Sequence, residues 1–366
     1  MDGAYFSKDS GRRSAMNDVI ALSANERREV FTETGVRLGM APFHVEKDFW
    51  VCWTLAALFT NNQIGPHLVF RGGTSLSKGW GLIQRFSEDI DLAMNRSWVE
   101  KDLEAEASFS NASKSQQERR LRSLRKKCRE VIRELIVPRL EERLARITED
   151  ASARVEVEAI EKARDPFVVY FRYPESGLTP PSEYFQARVK IELSGRADGV
   201  PVSIRNVEPY VADVFPSLVP PGRQYEIPCV QPIRTFWEKV ALLHEQNTRK
   251  ERVAPASRQS RHFYDVHKLW TAGRLSESAR LDEQLFRTVM QHRSQFFAYN
   301  WVNHLSLNPE DLNICPPDAE LSLWRNDYRE MESMFIESAP KFEQVVATLR
   351  AIEAQFKGNG TRTQEG

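Results

Sequence analysis

Apolar positions recur at helical spacing over much of the chain, and a few short stretches alternate instead with the period of a strand. Residues 24–60 read as mostly helix, with Val45, Phe49, Cys52, Trp53 and Ala56 on one stripe. A turn at Asn61-Asn62 and Gly65-Pro66 leads into His67-Leu68-Val69-Phe70, a short run of strand formers. Ser75 to Ile83 is helix-like, interrupted by Gly79 and Gly81. Asp89-Ile90-Asp91-Leu92 then alternates as a half-buried strand does. Residues 101–148 predict a long helix or helical pair buried along Leu121, Leu124, Cys128, Val131 and Leu135. Strands are expected at 154–158, 167–171 and 185–193, with one more short strand at 225–231. From Thr235, which forms a capping box with Glu238, helical stripes dominate to about residue 354. Phe263, Val266 and Trp270 form one, Phe286, Val289, Phe296 and Phe297 another, and Leu323, Tyr328, Met331 and Phe335 a third. The polar end of the chain, 355–366, is expected to be disordered.

Composition narrows the class. A chain of 366 residues, 41% hydrophobic and 28% charged, can bury a substantial core and suggests two or three domains. No apolar run reaches membrane-spanning length, and Met1 to Arg12 does not read as a signal peptide. Cys52, Cys128, Cys229 and Cys315 lie far apart without a CxxC pair, which argues against a zinc module or disulfide framework and fits a reducing cytoplasm. The 51 basic and 51 acidic residues cancel, so no global field steers the protein to nucleic acid. A local patch is nevertheless present: between 115 and 135 stand Arg119, Arg120, Arg122, Arg125, Lys126, Lys127, Arg129 and Arg133. Such a helix suits an RNA backbone, or else a solvated face balanced by the acids after Glu141.

The chemistry concentrates between 70 and 92. Gly72-Gly73 follows a strand and opens a hydroxyl-rich helix start with Thr74, Ser75 and, one turn on, Lys78. Glycines let the backbone approach a ligand, and free N–H groups at a helix start hold phosphate oxygens. The pattern is neither a P-loop nor a dinucleotide fingerprint. Asp89 and Asp91 stand two apart on a strand, so both project from one face. At about 4 Å and an effective dielectric near 20, two carboxylates repel by roughly 4 kcal/mol, which a divalent cation cancels. All-oxygen ligands favour Mg2+, with Mn2+ an alternative. Glu192, on a strand beside Lys190, is the expected third metal ligand; a surface glutamate paired across the sheet is the plainer reading. Lys239 shares a helix side with Phe236 and Leu243, so it either snorkels to solvent or reaches a negative ligand such as a triphosphate. Asp265, four residues after Arg261, reads by itself as an exposed helix pair.

Gly72-Gly73-Thr74-Ser75-Leu76-Ser77-Lys78 with Arg85-Phe86-Ser87-Glu88-Asp89-Ile90-Asp91-Leu92 resembles the first motif of the AbiEii-type nucleotidyltransferases. These toxins of bacterial toxin–antitoxin and phage-abortive-infection systems belong to the DNA-polymerase-β-like superfamily. Trp237-Glu238-Lys239-Val240-Ala241 and Arg261-His262-Phe263-Tyr264-Asp265-Val266 resemble the later motifs, and the likeness runs from about residue 45 to 350. It implies an α+β, bilobed, polymerase-β-like fold with a small mixed sheet and a helical C-terminal lobe. The expected domains are a helical lead-in at 1–60, a nucleotidyltransferase domain at 61–233 with a helical insertion at 101–148, and helices at 234–354. The resemblance also implies Mg2+-dependent transfer of a nucleoside monophosphate from an NTP. Some members add nucleotides to the acceptor end of tRNA, and members are controlled by a separately encoded antitoxin. It makes Asp89, Asp91, Lys239 and Asp265 the expected catalytic set, with Lys239 on the triphosphate and Asp265 a base or the orienter of one. It makes Gly72, Gly73, Thr74, Ser75, Lys78 and Arg85 the expected nucleotide-binding set. One departure stands out: fifteen residues separate Gly73 from Asp89, longer than the superfamily's shortest spacing. A protein hydroxyl as acceptor, and a catalytically silent binding partner, remain alternative readings.

Overall fold

The computed structural model describes residues 16–87, 89–100, 113–159, 165–183, 185–222, 225–249, 257–273, 282–336 and 338–363. Three helices lead: α1 (Asn17–Ala21), α2 (Ala24–Leu38) and α3 (Pro42–Phe59). Ser23 and Glu26 cap α2 reciprocally, and Gly39, at φ +67°, ends it in a conformation that glycine adopts without strain. Every residue of α3 from Phe43 to Leu58 is buried: from Phe49 onward the helix is apolar nearly all round, and Glu46, Lys47 and Asp48 before it are met by Ser176 N–H, the Gln186 carbonyl and Lys78.

Strand β1 (Leu68–Arg71) runs into the short helix α4 (Gly72–Thr74), which continues as a π turn over Ser75–Gly79. After β2 (Asp89–Met94) and α5 (Arg96–Val99) come α6 (Lys114–Val131), a π turn at Ile132–Ile136 and α7 (Val137–Ala145). Four strands follow as β3 (Arg154–Val157), β4 (Phe167–Arg172), β5 (Val189–Ser194) and β6 (Val202–Asn206). Helix α8 (Val211–Val214) precedes β7 (Glu226–Val230). The remainder is helical: α9 (Pro232–Asn247), α10 (Arg261–Thr271), α11 (Glu283–Phe296), α12 (Leu321–Arg329) and α13 (Phe342–Thr363).

The seven strands form one mixed sheet in the order β3-β4-β5-β2-β1-β7-β6. Pairs β2/β5 and β1/β7 are parallel, and the others are antiparallel. This is the α+β class that the sequence predicts. Two apolar clusters hold it. The first joins α1–α3, the sheet and α6–α7; the second joins α9–α13 to Leu76, Leu82, Ile83, Phe86 and Phe185. The stretch that follows the Gly-Gly turn thus bridges the two: Ser75, Gly79 and Trp80 lie against β6 and β7, while Leu76, Leu82, Ile83 and Phe86 pack with the C-terminal helices.

Several expectations are corrected. Helix α9 starts at Pro232, so Thr235 and Glu238 lie inside it and form no capping box. Pro fits a first helical position because that N–H is unused there. Strand β5 begins at Val189, not 185: Phe185 turns into the second cluster, edge-on to His44 at 4.8 Å. Strand β6 was not expected; it is an edge strand with mostly half-exposed side chains, which blurs its alternation. Leu135 is 37% exposed, because the π turn shifts the buried stripe onto Ile132, Ile136, Leu140 and Leu144. Leu323 is exposed while Trp324 takes the buried place. Helix α13 runs to Thr363, past the expected break at 355, and Phe356 anchors it by stacking on Trp237 at 5.4 Å. Residues 364–366 and 101–112 lie outside the described residues.

Candidate active site

Register places the acids. Parallel pairing sets Asp89 beside Lys190 and Asp91 beside Glu192, while antiparallel pairing sets Arg71 beside Asp91. Ile90, Leu92, Ile191 and Leu193 fill the opposite face and are fully buried. Strand alternation therefore gathers Asp89, Asp91, Lys190 and Glu192 on one face, with the core fixing the strands beneath.

The Gly-Gly turn abuts this face. Gly72 has φ +77°, and a Cβ there would stand 1.9 Å from Asp91 Oδ2. Only glycine leaves room for the carboxylate. A Cβ on Gly73 would meet Arg85 Nη2 at 2.7 Å and Ser87 Oγ at 2.8 Å. Thr74 is buried and donates to the Asp89 carbonyl oxygen, with Ser87 Oγ 3.0 Å away. That contact closes the fifteen-residue excursion between Gly73 and Asp89.

Burial pushes the Asp91 carboxyl up to about 7, reinforced by repulsion from Glu192 and Asp89. Burial also raises Asp89, although the Lys190 ammonium opposes the shift. Lys190 Nζ hydrogen-bonds Glu192 Oε1 and lies 3.8 Å from Asp89 Oδ2. Oxygen-only donors that crowd their charge to this degree suit a hard divalent cation. Yet among the described residues no three acidic, His or Cys side chains converge as a ligand set. Glu192, the expected third ligand, bonds Lys190 and also lies within hydrogen-bonding reach of Asp91.

Behind the turn lies a second ionic cluster. Arg85 donates to Asp265 through Nε at 2.8 Å and Nη2 at 2.7 Å, and Lys239 Nζ lies 2.9 Å from Asp265 Oδ2. Lys239 also approaches His262 Nδ1 at 3.3 Å. Burial would raise the Asp265 carboxyl, but Arg85 and Lys239 outweigh it and hold the group well below the usual range. Asp265 is fully buried and not the exposed helix pair of the plainer reading. Held between Arg85 and Lys239, this carboxylate fixes the positions of both cations. Burial lowers Lys239 despite the carboxylate beside it. Lys239 and Asp265 thus come together, and Arg85 connects them to Gly73.

Four expected phosphate-contacting side chains are turned elsewhere. Lys78 is buried, with Nζ 2.8 Å from Asp48 Oδ1 and 3.5 Å above the Tyr210 ring. A helical side chain six positions past Gly72 has rotated off that residue's face. Ser75 is buried beside β7, and the Thr74 hydroxyl serves the β2 backbone. Arg85 spends its fork on Asp265.

Other site residues escape a reading of the sequence. Arg71 pairs with Glu238 at 2.5 Å, Glu238 with Arg234 at 3.0 Å, and Arg234 with Asp198 at 3.1 Å. Burial opposes ionisation of Glu238, but Arg71 and Arg234 prevail and bring it down to about 2. The chain ties β1 to α9, and strand-end arginine before Gly-Gly was its only signal in the sequence. A cleft of about 1040 Å³ opens from Gly72, Asp91 and Glu192 and runs past Arg125 of α6 and Arg196. Lys239 and Asp265 lie outside its lining.

A family model described as nucleotidyl transferase AbiEii toxin, type IV TA system, matches residues 53–348. No curated protein matches the chain.

Proposed function

The chain belongs to the AbiEii nucleotidyl transferase toxin family, and from that membership we propose that it transfers a nucleoside monophosphate from an NTP to an RNA acceptor such as a tRNA 3′ end. A type IV toxin–antitoxin family implies a separate antitoxin partner. The observation that carries the reading is the packing of Asp91 onto Gly72 beside an open cleft, with Asp89 on the same strand face. In this reading the two apolar clusters are the cores of the two lobes of a polymerase-β-like fold.

Asp89 and Asp91 would hold Mg2+, with Glu192 the nearest further oxygen donor. The bound cation would supply positive charge at the reacting phosphate. Backbone N–H groups of the Gly72-Gly73 turn would meet phosphate oxygens, since no side chain intervenes. Lys239, oriented by Asp265, would counter triphosphate charge. Arg125 and Arg196 line the cleft that leads to Asp91, which suits an acceptor backbone carrying phosphates.

The test is incubation of the protein with each labelled NTP, Mg2+ and total RNA, alongside Asp91→Asn. Label entering RNA with one NTP, and lost in the variant, is the expected result. Label entering protein would move the acceptor to a side-chain hydroxyl. No label in any fraction would overturn transferase activity and leave a binding partner.

A further inference from the structure

The carboxylate face carries its own cation. Four polar side chains from two adjacent parallel strands occupy one patch: Asp89 and Asp91 from β2, Lys190 and Glu192 from β5. Lys190 is the basic member of these four, and Arg71 of β1 adds a second positive charge beside Asp91. Its ammonium bonds Glu192 and sits 3.8 Å from Asp89, so two of the three acids are already partly neutralised. Asp91, the third, rests against Gly72 within hydrogen-bonding reach of Glu192, and its positive neighbour is Arg71 rather than Lys190. On the far side of β5, antiparallel pairing sets Tyr170 of β4 beside Lys190, and Tyr170 is itself covered by Arg188 at 3.8 Å. Lys47 and Arg261 add positive charge near Asp89 from α3 and α10.

Glu192 reaches Asp91 while it bonds Lys190, so part of its carboxylate is already committed before a cation arrives at Asp89 and Asp91. The Lys190 side chain is one-third exposed and has a flexible four-carbon stem, so it can swing to solvent. Resting on the reading of this face as a divalent-cation site, we infer that Lys190 is a displaceable internal counter-ion that competes with the metal for Glu192 and Asp89. The lysine keeps the metal-free face from collapsing under its own repulsion, and it weakens metal binding by the free energy needed to release it. Because the Lys190–Glu192 pair is part-exposed, that energy is modest and corresponds to roughly three- to tenfold in affinity.

Titration of the full-length protein with Mn2+ alone, following the free-ion electron paramagnetic resonance signal, measures this without nucleotide or turnover. Lys190→Met should tighten Mn2+ binding roughly three- to tenfold. Lys190→Arg should weaken it, since a guanidinium grips a carboxylate with two parallel bonds and releases it less readily. Wild-type and Lys190→Met proteins that bind Mn2+ with equal affinity would overturn the counter-ion role alone. Absence of Mn2+ binding in both would overturn it together with the metal reading of the face. Should Lys190→Met fail to fold, Lys190→Arg decides: weaker binding supports the competition, and unchanged or tighter binding refutes it.

Discussion

At Gly72 two constraints coincide: a positive φ, and an Asp91 oxygen where a Cβ would stand. Alanine there forces Asp91 off its position and adds backbone strain of about 1–2 kcal/mol. Gly72→Ala should therefore lower Tm by several degrees and weaken Mn2+ binding, measured by thermal denaturation and titration. Gly81 also has φ +60° but has nothing within 4 Å of its would-be Cβ, so Gly81→Ala should cost stability without touching Mn2+ affinity. Equal metal binding in Gly72→Ala and wild type would show that Asp91 is not held by the turn. Burial decides the other single residues. Lys78 and Ser75 face inward, and Asp265 is fully buried beneath two cations. None of this follows from residue type alone, because the same letters suit an open phosphate loop.

Between elements, the buried ionic chain from Arg71 to Asp198 holds β1 against α9. Removing one member strands its partners without compensation, a loss of about 3–5 kcal/mol. Glu238→Ala should show that loss in urea denaturation. The acid limb gives a sharper signature. Glu238 falls to about 2 in the folded protein from 4.5, so its contribution is fully present above pH 4.5 and is lost as pH drops toward 2. Wild type should lose on the order of 3 kcal/mol over that window, and Glu238→Gln should lack this part of the slope. The basic helix α6 makes a different prediction. Arg125 lines the cleft, Arg129 lies over Phe167, and Arg122 is exposed. Replacing all three by alanine should weaken RNA binding and flatten its dependence on salt. If affinity and slope stay unchanged in filter binding across salt, α6 does not contact the acceptor.

For the molecule as a whole, the segment from Gln84 to Phe86, which leads from the Gly-Gly turn to β2, is fastened to the C-terminal helices. Gln84 N–H donates to Tyr264 Oη at 3.1 Å, Phe86 N–H to the Met334 carbonyl, and Arg85 to Asp265. Asp265→Asn would leave Arg85 and Lys239 facing a neutral amide inside the protein. A destabilisation of about 3 kcal/mol or more is expected, with the C-terminal helices loosened first in hydrogen exchange. Uniform protection across α9, α10 and the sheet would contradict that coupling. The alternation of Asp89-Ile90-Asp91-Leu92 and of Val189 to Leu193 was enough to assign both strands and to put three acids on polar faces, because strand geometry is local. Helical spacing likewise predicted α3 and most of the C-terminal helices, and the Gly-Gly turn announced a close approach. The pairing of β2 with β5, which brings Lys190 onto Asp89 and Glu192, spans a hundred residues of intervening chain and is set by packing of the whole sheet. So is the inward turn of Lys78, which depends on Asp48 and Tyr210 arriving from distant segments. A side chain's alternation follows from its own strand, whereas its partner and its solvation belong to the assembled fold.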